Sequence, residues 1–142
     1  MKSIKILMAF LLLAAFSLVA QDTAITAMVE KAQKDMGKSM IYTNGDFMYG
    51  TLKKGEAYYG TLTFYKSNKY SIAFGASDKA KKLKVYLYKE NMLELVTKKI
   101  ISAGQQEIVH IEAPVTGHYY LKVYLEEGGD DTGWFYLYGF KE

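Results

Sequence analysis

The fold is decided by residues 117–125, whose sequence is GHYYLKVYL. From Tyr119 onward, aromatic or aliphatic side chains at odd positions alternate with tyrosine and lysine at even positions. Side chains of a β-strand point to opposite faces in turn, so this period of two separates the odd residues from the even ones. The stretch is therefore predicted to be a strand with one face in a core and a mixed face outside it.

The same period of two recurs along most of the chain. Further strands are predicted at 46–52, 58–65, 69–74, 83–88, 93–100, 107–112 and 134–140. Turn residues separate most of them, and the connections 75–82 and 126–133 are expected to be polar loops. Thirteen Tyr, seven Phe and one Trp also favour pleated, half-buried surfaces. About eight short strands indicate an all-β fold, an antiparallel β-sandwich of jelly-roll-like type.

The segment before residue 40 has a different period. Its apolar side chains recur at helical spacing and form one stripe, made of Ile25, Met28, Val29, Ala32, Met36 and Met40. Gly37 is suited to end a helix. One N-terminal α-helix, roughly Thr23 to Met36, is therefore predicted within residues 21–40. Residues 41–142 then form the β-sandwich domain.

The first twenty residues have the order of a secretory signal. A short basic start carrying Lys2 and Lys5 precedes the apolar run 6–16, and small residues lead to Ala20. The apolar run is too short to span a bilayer. We therefore expect residues 1–20 to be a signal peptide that is cleaved, leaving an exported protein, periplasmic or extracellular, that does not span a membrane. Because the chain has no Cys, its fold needs no disulfide.

Charge argues against a nucleic-acid partner. All eighteen basic residues are Lys, against fifteen acidic ones, and two of the lysines belong to the signal segment. Arginine supplies the planar fork that recognises phosphate and guanine, and it is absent here. We therefore expect no nucleic-acid binding.

Residues 83–88 (LKVYLY) and 112–124 (EAPVTGHYYLKVY), followed by a closing aromatic strand, resemble the bacterial pre-peptidase C-terminal domains. These are small β-sandwiches found beside secreted peptidases, and the early turn at 52–55 (LKKG) matches them as well. The resemblance covers roughly residues 46–140. It implies a binding or stabilising module without enzymatic activity. The acidic residues that the family carries before the first of these strands are replaced by residues 80–82 (AKK), so no calcium site is expected there.

No catalytic motif is present in the sequence. There is no Cys, no Ser in a G-x-S-x-G turn, and His110 and His118 are the only imidazoles. His118 follows a turn glycine and is interpreted as a solvated hairpin residue. His110 and Glu112 share a strand face, but two ligands at that spacing arise often by chance. The protein is therefore predicted not to be an enzyme, and no catalytic residue is assigned.

The acidic, glycine-rich segment 126–131 is the candidate metal site. Glu127, Asp130 and Asp131 offer hard oxygen ligands on a flexible loop, which is the ligand type that calcium prefers. The alternative is a solvated hairpin tip whose charges prevent pairing between sheet edges. No cofactor other than this candidate calcium ion is predicted.

Tyrosines on the predicted outer strand faces are the main functional signal. Six of them fall opposite aliphatic faces, namely Tyr86, Tyr88, Tyr120, Tyr124, Tyr136 and Tyr138. The first four, with Lys84 and Lys122, form the predicted ligand or partner surface. Tyrosine has a flat apolar ring and a polar tip, which suits sugar rings and protein interfaces. The competing hypothesis is that the N-terminal helix buries its apolar stripe on this surface.

The first functional hypothesis is an exported, non-catalytic β-sandwich that binds a protein or a component of the cell envelope through these tyrosines. The alternative is a carbohydrate-binding module that contacts a polysaccharide through the same face, with calcium at the acidic loop. An unrecognised enzyme is disfavoured because no nucleophile, base or metal set converges in the sequence.

Overall fold

The computed structural model describes residues 23–37, 47–89 and 94–141. The described chain contains one helix and eight strands. These are α1 (Thr23–Met36), β1 (Phe47–Leu52), β2 (Ala57–Phe64), β3 (Lys69–Ala76), β4 (Ala80–Tyr88), β5 (Leu95–Ile101), β6 (Gln106–Glu112), β7 (Gly117–Gly128) and β8 (Thr132–Lys141). The predicted signal segment 1–20, together with Met40 and Leu93, lies outside the described residues.

The strands form two four-stranded sheets of order β1-β8-β3-β6 and β2-β7-β4-β5. Every strand pairing in them is antiparallel. Consecutive strands lie in different sheets except β4 and β5, which are neighbours in the second sheet, and this is the arrangement of an eight-stranded jelly roll. The predicted all-β sandwich with one N-terminal helix is therefore confirmed.

The core lies between the sheets and is built from the faces that the period of two predicts. Three residues of β4 face it, namely Leu83, Val85 and Leu87, and four residues of β7 do so as well, namely Tyr119, Leu121, Val123 and Leu125. The opposite sheet contributes aromatic rings, including Trp134, whose centroid lies 4.7 Å from that of Tyr58. Aromatic rings from both sheets therefore fill part of the interior of the sandwich.

The helix α1 packs on the outer face of the first sheet. Its apolar stripe, with Ile25, Ala32 and Met36 buried, lies against Ala73, Phe135 and Leu137, and these six residues form a second hydrophobic cluster. The helix contacts β3, β8 and β6. The competing hypothesis required the helix to cover the tyrosines of β4 and β7, and it does not. In the part of the chain that the structure describes, no helix is long and apolar enough to cross a membrane.

Two expected loops are shorter than the sequence predicted. Strand β3 includes Gly75 and Ala76, and strand β4 begins at Ala80. Only residues 77–79 of the expected loop 75–82 therefore connect the two strands. A Cβ on Gly75 would lie 2.2 Å from the ring of Phe135, so the glycine makes room for that ring beneath the helix. The second expected loop, 126–133, is reduced to residues 129–131 because β7 and β8 extend into it.

The placement of two tyrosines differs from the prediction. Tyr136 and Tyr138 point into the core between the sheets and not to an outer face. Their neighbours Phe135 and Leu137, on the other face of β8, lie under the helix. Strand β8 is buried on both faces, so the alternation of residue types could not show which face belongs to the sandwich core.

Candidate functional site

The six residues of the predicted ligand surface lie on one face of the molecule. Tyr86, Tyr88 and Lys84 come from β4, and the other three, Tyr120, Lys122 and Tyr124, come from β7. The two strands are adjacent in the second sheet, with Tyr86 opposite Lys122 and Lys84 opposite Tyr124. All six are half-buried and alternate with core residues, so they point away from the sandwich interior. Their binding role stays a prediction.

Neighbouring strands add two residues that sequence reasoning did not include. Tyr59 of β2 lies opposite Lys122, and its side chain is 62% exposed. Lys98 of β5 lies opposite Tyr86 and is exposed. Tyr59 belongs to the predicted strand 58–65, but no local signal identified β7 as the neighbour of that strand. We call the resulting surface the tyrosine–lysine face, made of Tyr59, Tyr86, Tyr88, Tyr120, Tyr124, Lys84, Lys98 and Lys122.

Two lysines of this face lie close to aromatic rings. The Nζ of Lys122 is 5.4 Å from the ring centroid of Tyr124, 5.7 Å from that of Tyr86 and 5.8 Å from that of Tyr59. The Nζ of Lys98 is 5.5 Å from the centroid of Tyr86. These distances are typical of cation–π contacts, which hold the long lysine chains against the sheet. The cations are therefore positioned before any ligand arrives.

Two of the rings lie close together with nearly parallel planes. Tyr86 and Tyr88 are two residues apart on β4, with ring centroids 6.0 Å apart and ring planes inclined by only 13°. The two rings are stacked, and each combines an apolar ring with a polar phenol oxygen. Tyrosines of this kind suit a ligand that combines apolar surface with hydroxyl groups.

At one end of the face, a single carboxylate binds two lysines. The side chain of Glu126 lies 2.8 Å from the Nζ of Lys82 and 2.9 Å from that of Lys84. The hydrogen bonds from these lysines lower the pKa of the Glu126 carboxyl below its ordinary value. The hydrogen bond to Glu126 raises the pKa of Lys84. Glu126 therefore stays ionised and neutralises part of the charge at this end.

The predicted calcium ligands do not form a cluster. Asp130 and Asp131 are exposed in the turn 129–131, and Glu127 is exposed near the end of β7. Within residues 23–37, 47–89 and 94–141, no group of three or more His, Cys, Asp or Glu side chains is placed to hold a metal ion. The geometry thus gives the calcium hypothesis no support, and the turn has the exposure of a solvated hairpin tip.

The two histidines are placed in different surroundings. His110 Nδ1 lies 2.7 Å from the hydroxyl of Ser71, and both residues line a pocket of about 390 Å³ beside Met36. Ser71 is only 1% exposed. His118 is exposed, as predicted, and its Nδ1 lies 3.1 Å from the hydroxyl of Thr63. Neither contact joins a histidine to a carboxylate, so no Ser-His-Asp arrangement is formed by these pairs.

Comparison with known proteins reveals similarity in fold only. No protein-family model matches the sequence, and no curated protein matches it. Among solved structures, the chain resembles one described as "CBM4 structure and function", with 14% identity, 71% of this chain and 76% of the other covered, and a TM-score of 0.49. A de novo designed double-stranded β-helix shares 10% identity over 67% of this chain and 97% of its own, with a TM-score of 0.39.

A third similar structure is dimeric latent PorU from Porphyromonas gingivalis, with 8% identity, a TM-score of 0.34, and coverage of 74% of this chain and 13% of that one. At these identities and TM-scores the similarities carry no argument about function. The β-sandwich that the pre-peptidase resemblance implies is present, whereas no family match supports the assignment to that family.

Proposed function

We propose that the protein is an exported, non-catalytic binding module that contacts an acidic component of the cell envelope through the tyrosine–lysine face. The observation that carries the proposal is the excess of positive charge among preorganised aromatic rings. Among the described residues of the second sheet, Lys82 and Lys84 share the carboxylate of Glu126, and neither Lys98 nor Lys122 takes part in an ion pair. Charge complementarity selects an acidic partner and steers it to the surface.

The exported location rests on the signal-like residues 1–20, and the non-catalytic role rests on the histidine contacts described above. Export predicts that the protein leaves the cytoplasm and begins at Gln21 after cleavage. Cell fractionation followed by mass spectrometry of the mature N-terminus measures both. An uncleaved chain in the cytoplasm would contradict this part of the proposal.

Binding to the envelope is tested by co-sedimentation of the purified protein with an isolated envelope fraction. The double variant Tyr86→Ser/Lys122→Gln removes one ring and one cation from the centre of the face. The matched control is Tyr49→Ser/Lys66→Gln, because Tyr49 is an exposed tyrosine on β1 of the other sheet and Lys66 is exposed in the turn after β2. Both variants lose the same side chains and the same charge.

We expect the control to sediment with the envelope like the wild type and the face variant to remain in solution. Equal retention of both variants would overturn the proposed role of the face. Treating the envelope fraction with protease first separates a protein partner from a polymer: retention that survives protease identifies a non-protein component.

Carbohydrate binding is the second candidate function, and one observation favours it. The stacked rings of Tyr86 and Tyr88 place two aromatic side chains with polar phenol oxygens side by side on this face, and such side chains suit contact with sugar rings. A thermal melt with soluble polysaccharides tests it, because a ligand at a hundredfold its dissociation constant stabilises the fold by about 2.7 kcal/mol.

A further inference from the structure

One row of the tyrosine–lysine face alternates rings and cations across all four strands of the second sheet. Tyr59 of β2 lies opposite Lys122 of β7, Lys122 lies opposite Tyr86 of β4, and Tyr86 lies opposite Lys98 of β5. Adjacent strands are about 4.8 Å apart, so the row spans roughly 14 Å. Its order is ring, cation, ring, cation.

Among the described residues, neither cation of this row forms an ion pair with a carboxylate. The ion pairs among the described residues involve Lys82, Lys84 and Lys89, and neither Lys98 nor Lys122 takes part in one. Their contacts are the cation–π contacts to the tyrosine rings on either side. An ammonium group has three N–H donors. A ring face attracts its positive charge without using these donors for hydrogen bonds, whereas a carboxylate would accept them. Each cation therefore retains donors for an acidic ligand.

The rows on either side of this one differ in chemistry. On one side Thr61, Tyr120, Tyr88 and Leu95 lie opposite one another and carry no charge. On the other side the only cation is Lys84, which Glu126 binds. Of these three rows, only the central one therefore carries lysines that take part in no ion pair among the described residues, and it interleaves them with rings.

We propose that this row binds an acidic polysaccharide whose sugar units each carry a carboxylate, with sugar rings on the tyrosines and carboxylates on Lys122 and Lys98. The inference rests on the proposed function, since it names the ligand class of the same face. A neutral polysaccharide would leave both cations without partners. An acidic polypeptide would supply charge but no flat ring for Tyr59 and Tyr86. A sugar acid combines both groups in one unit, as the row does.

The test measures binding of three soluble polymers by affinity gel electrophoresis and calorimetry. Polygalacturonate carries a ring and a carboxylate in every unit, dextran carries rings without charge, and polyglutamate carries carboxylates without sugar rings. We expect binding to polygalacturonate alone, with loss of binding near 1 M salt, where the screening length falls to about 3 Å. Binding of dextran with equal affinity, or of polyglutamate with equal affinity, would overturn the proposal.

Single variants locate the site. We expect Lys122→Gln and Lys98→Gln each to weaken polygalacturonate binding about three- to tenfold, since each removes one charge contact. Tyr86→Ser should weaken it by a similar factor. The controls Lys66→Gln and Tyr49→Ser, which lie away from the face, should bind like the wild type. Thermal melts of every variant confirm that the fold is intact before binding is compared.

The outcomes separate this inference from the proposed function. If polygalacturonate does not bind but the envelope fraction still retains the wild type and releases Tyr86→Ser/Lys122→Gln, the sugar-acid inference is wrong and the binding face stands. If the envelope fraction retains the face variant and polygalacturonate also fails to bind, both are wrong. If the control variants weaken polygalacturonate binding as much as the face variants do, the inference is also wrong.

Discussion

Replacing Phe135 by Ala should destabilise the protein more than any change on the tyrosine–lysine face. The ring of Phe135 is 1% exposed and lies between the helix and Gly75, whose missing side chain makes room for it. Removing a buried phenylalanine ring costs about 3–5 kcal/mol, through lost burial and the cavity left behind. For a domain of this size that loss lowers the melting temperature by about 10–20 °C.

The assay is a pair of thermal and urea melts, with hydrogen exchange of the α1 amides as a local readout. The comparison is Tyr124→Ser, which removes a half-buried ring from the outer face of the second sheet, whereas α1 packs on the first sheet. Its loss should be about 1 kcal/mol or less, since cross-strand and cation–π contacts of exposed rings are worth that much.

We expect Phe135→Ala to speed exchange in α1 and Tyr124→Ser to leave it unchanged. If Tyr124→Ser lost more stability than Phe135→Ala, the helix would have to cover the tyrosines. That result would refute the packing of α1 on the first sheet and the exposure of the tyrosine–lysine face. A loss below about 1 kcal/mol for Phe135→Ala would refute the claim that the helix–sheet cluster is well packed.

Three further predictions concern stability. Gly75→Ala places a Cβ 2.2 Å from an aromatic carbon and should cost about 1–3 kcal/mol, measured by urea melts; an unchanged midpoint would show that the ring moves without cost. Ser77→Ala removes the buried hydroxyl that accepts the N–H of Gly133 at 3.1 Å, so about 1–3 kcal/mol should be lost; Ser77→Thr, which keeps the hydroxyl, is the control. Because its lysine partners lower the pKa of Glu126 in the folded state, its contribution to stability is present above the ordinary carboxyl pKa and is lost as the pH falls through the lowered value. Glu126→Gln should therefore flatten the fall in melting temperature on acidification, and an unchanged acid profile would count against the ion pairs.

Local patterns in the sequence were sufficient for the strands, the helix and the direction of most side chains. The alternation in residues 83–88 and 119–125 predicted which residues of β4 and β7 face the core, and the structure buries those residues. The residues of the apolar helical stripe from Ile25 to Met36 were likewise predicted correctly. These features depend on neighbours two to four positions apart, and such relations are fixed by backbone geometry alone.

At Gly75 the local sequence predicted a loop where the structure has a strand. A glycine followed by polar residues is typical of a loop, but here the absence of a side chain admits the ring of Phe135 under the helix. The cause is a contact between β3 and β8, which are far apart in sequence. The residues next to Gly75 in the sequence do not indicate this contact.

The sequence by itself determined the all-β class, the N-terminal helix and the tyrosines of β4 and β7 as outward residues. Only the tertiary structure decided that β2 and β5 flank them, adding Tyr59 and Lys98 to the face, and that the helix lies on the other sheet. It also decided that β8 is buried on both sides, which moved Tyr136 and Tyr138 into the core. The physical reason is that a period of two fixes the two faces of one strand, whereas the neighbours of that strand are chosen by packing between distant parts of the chain.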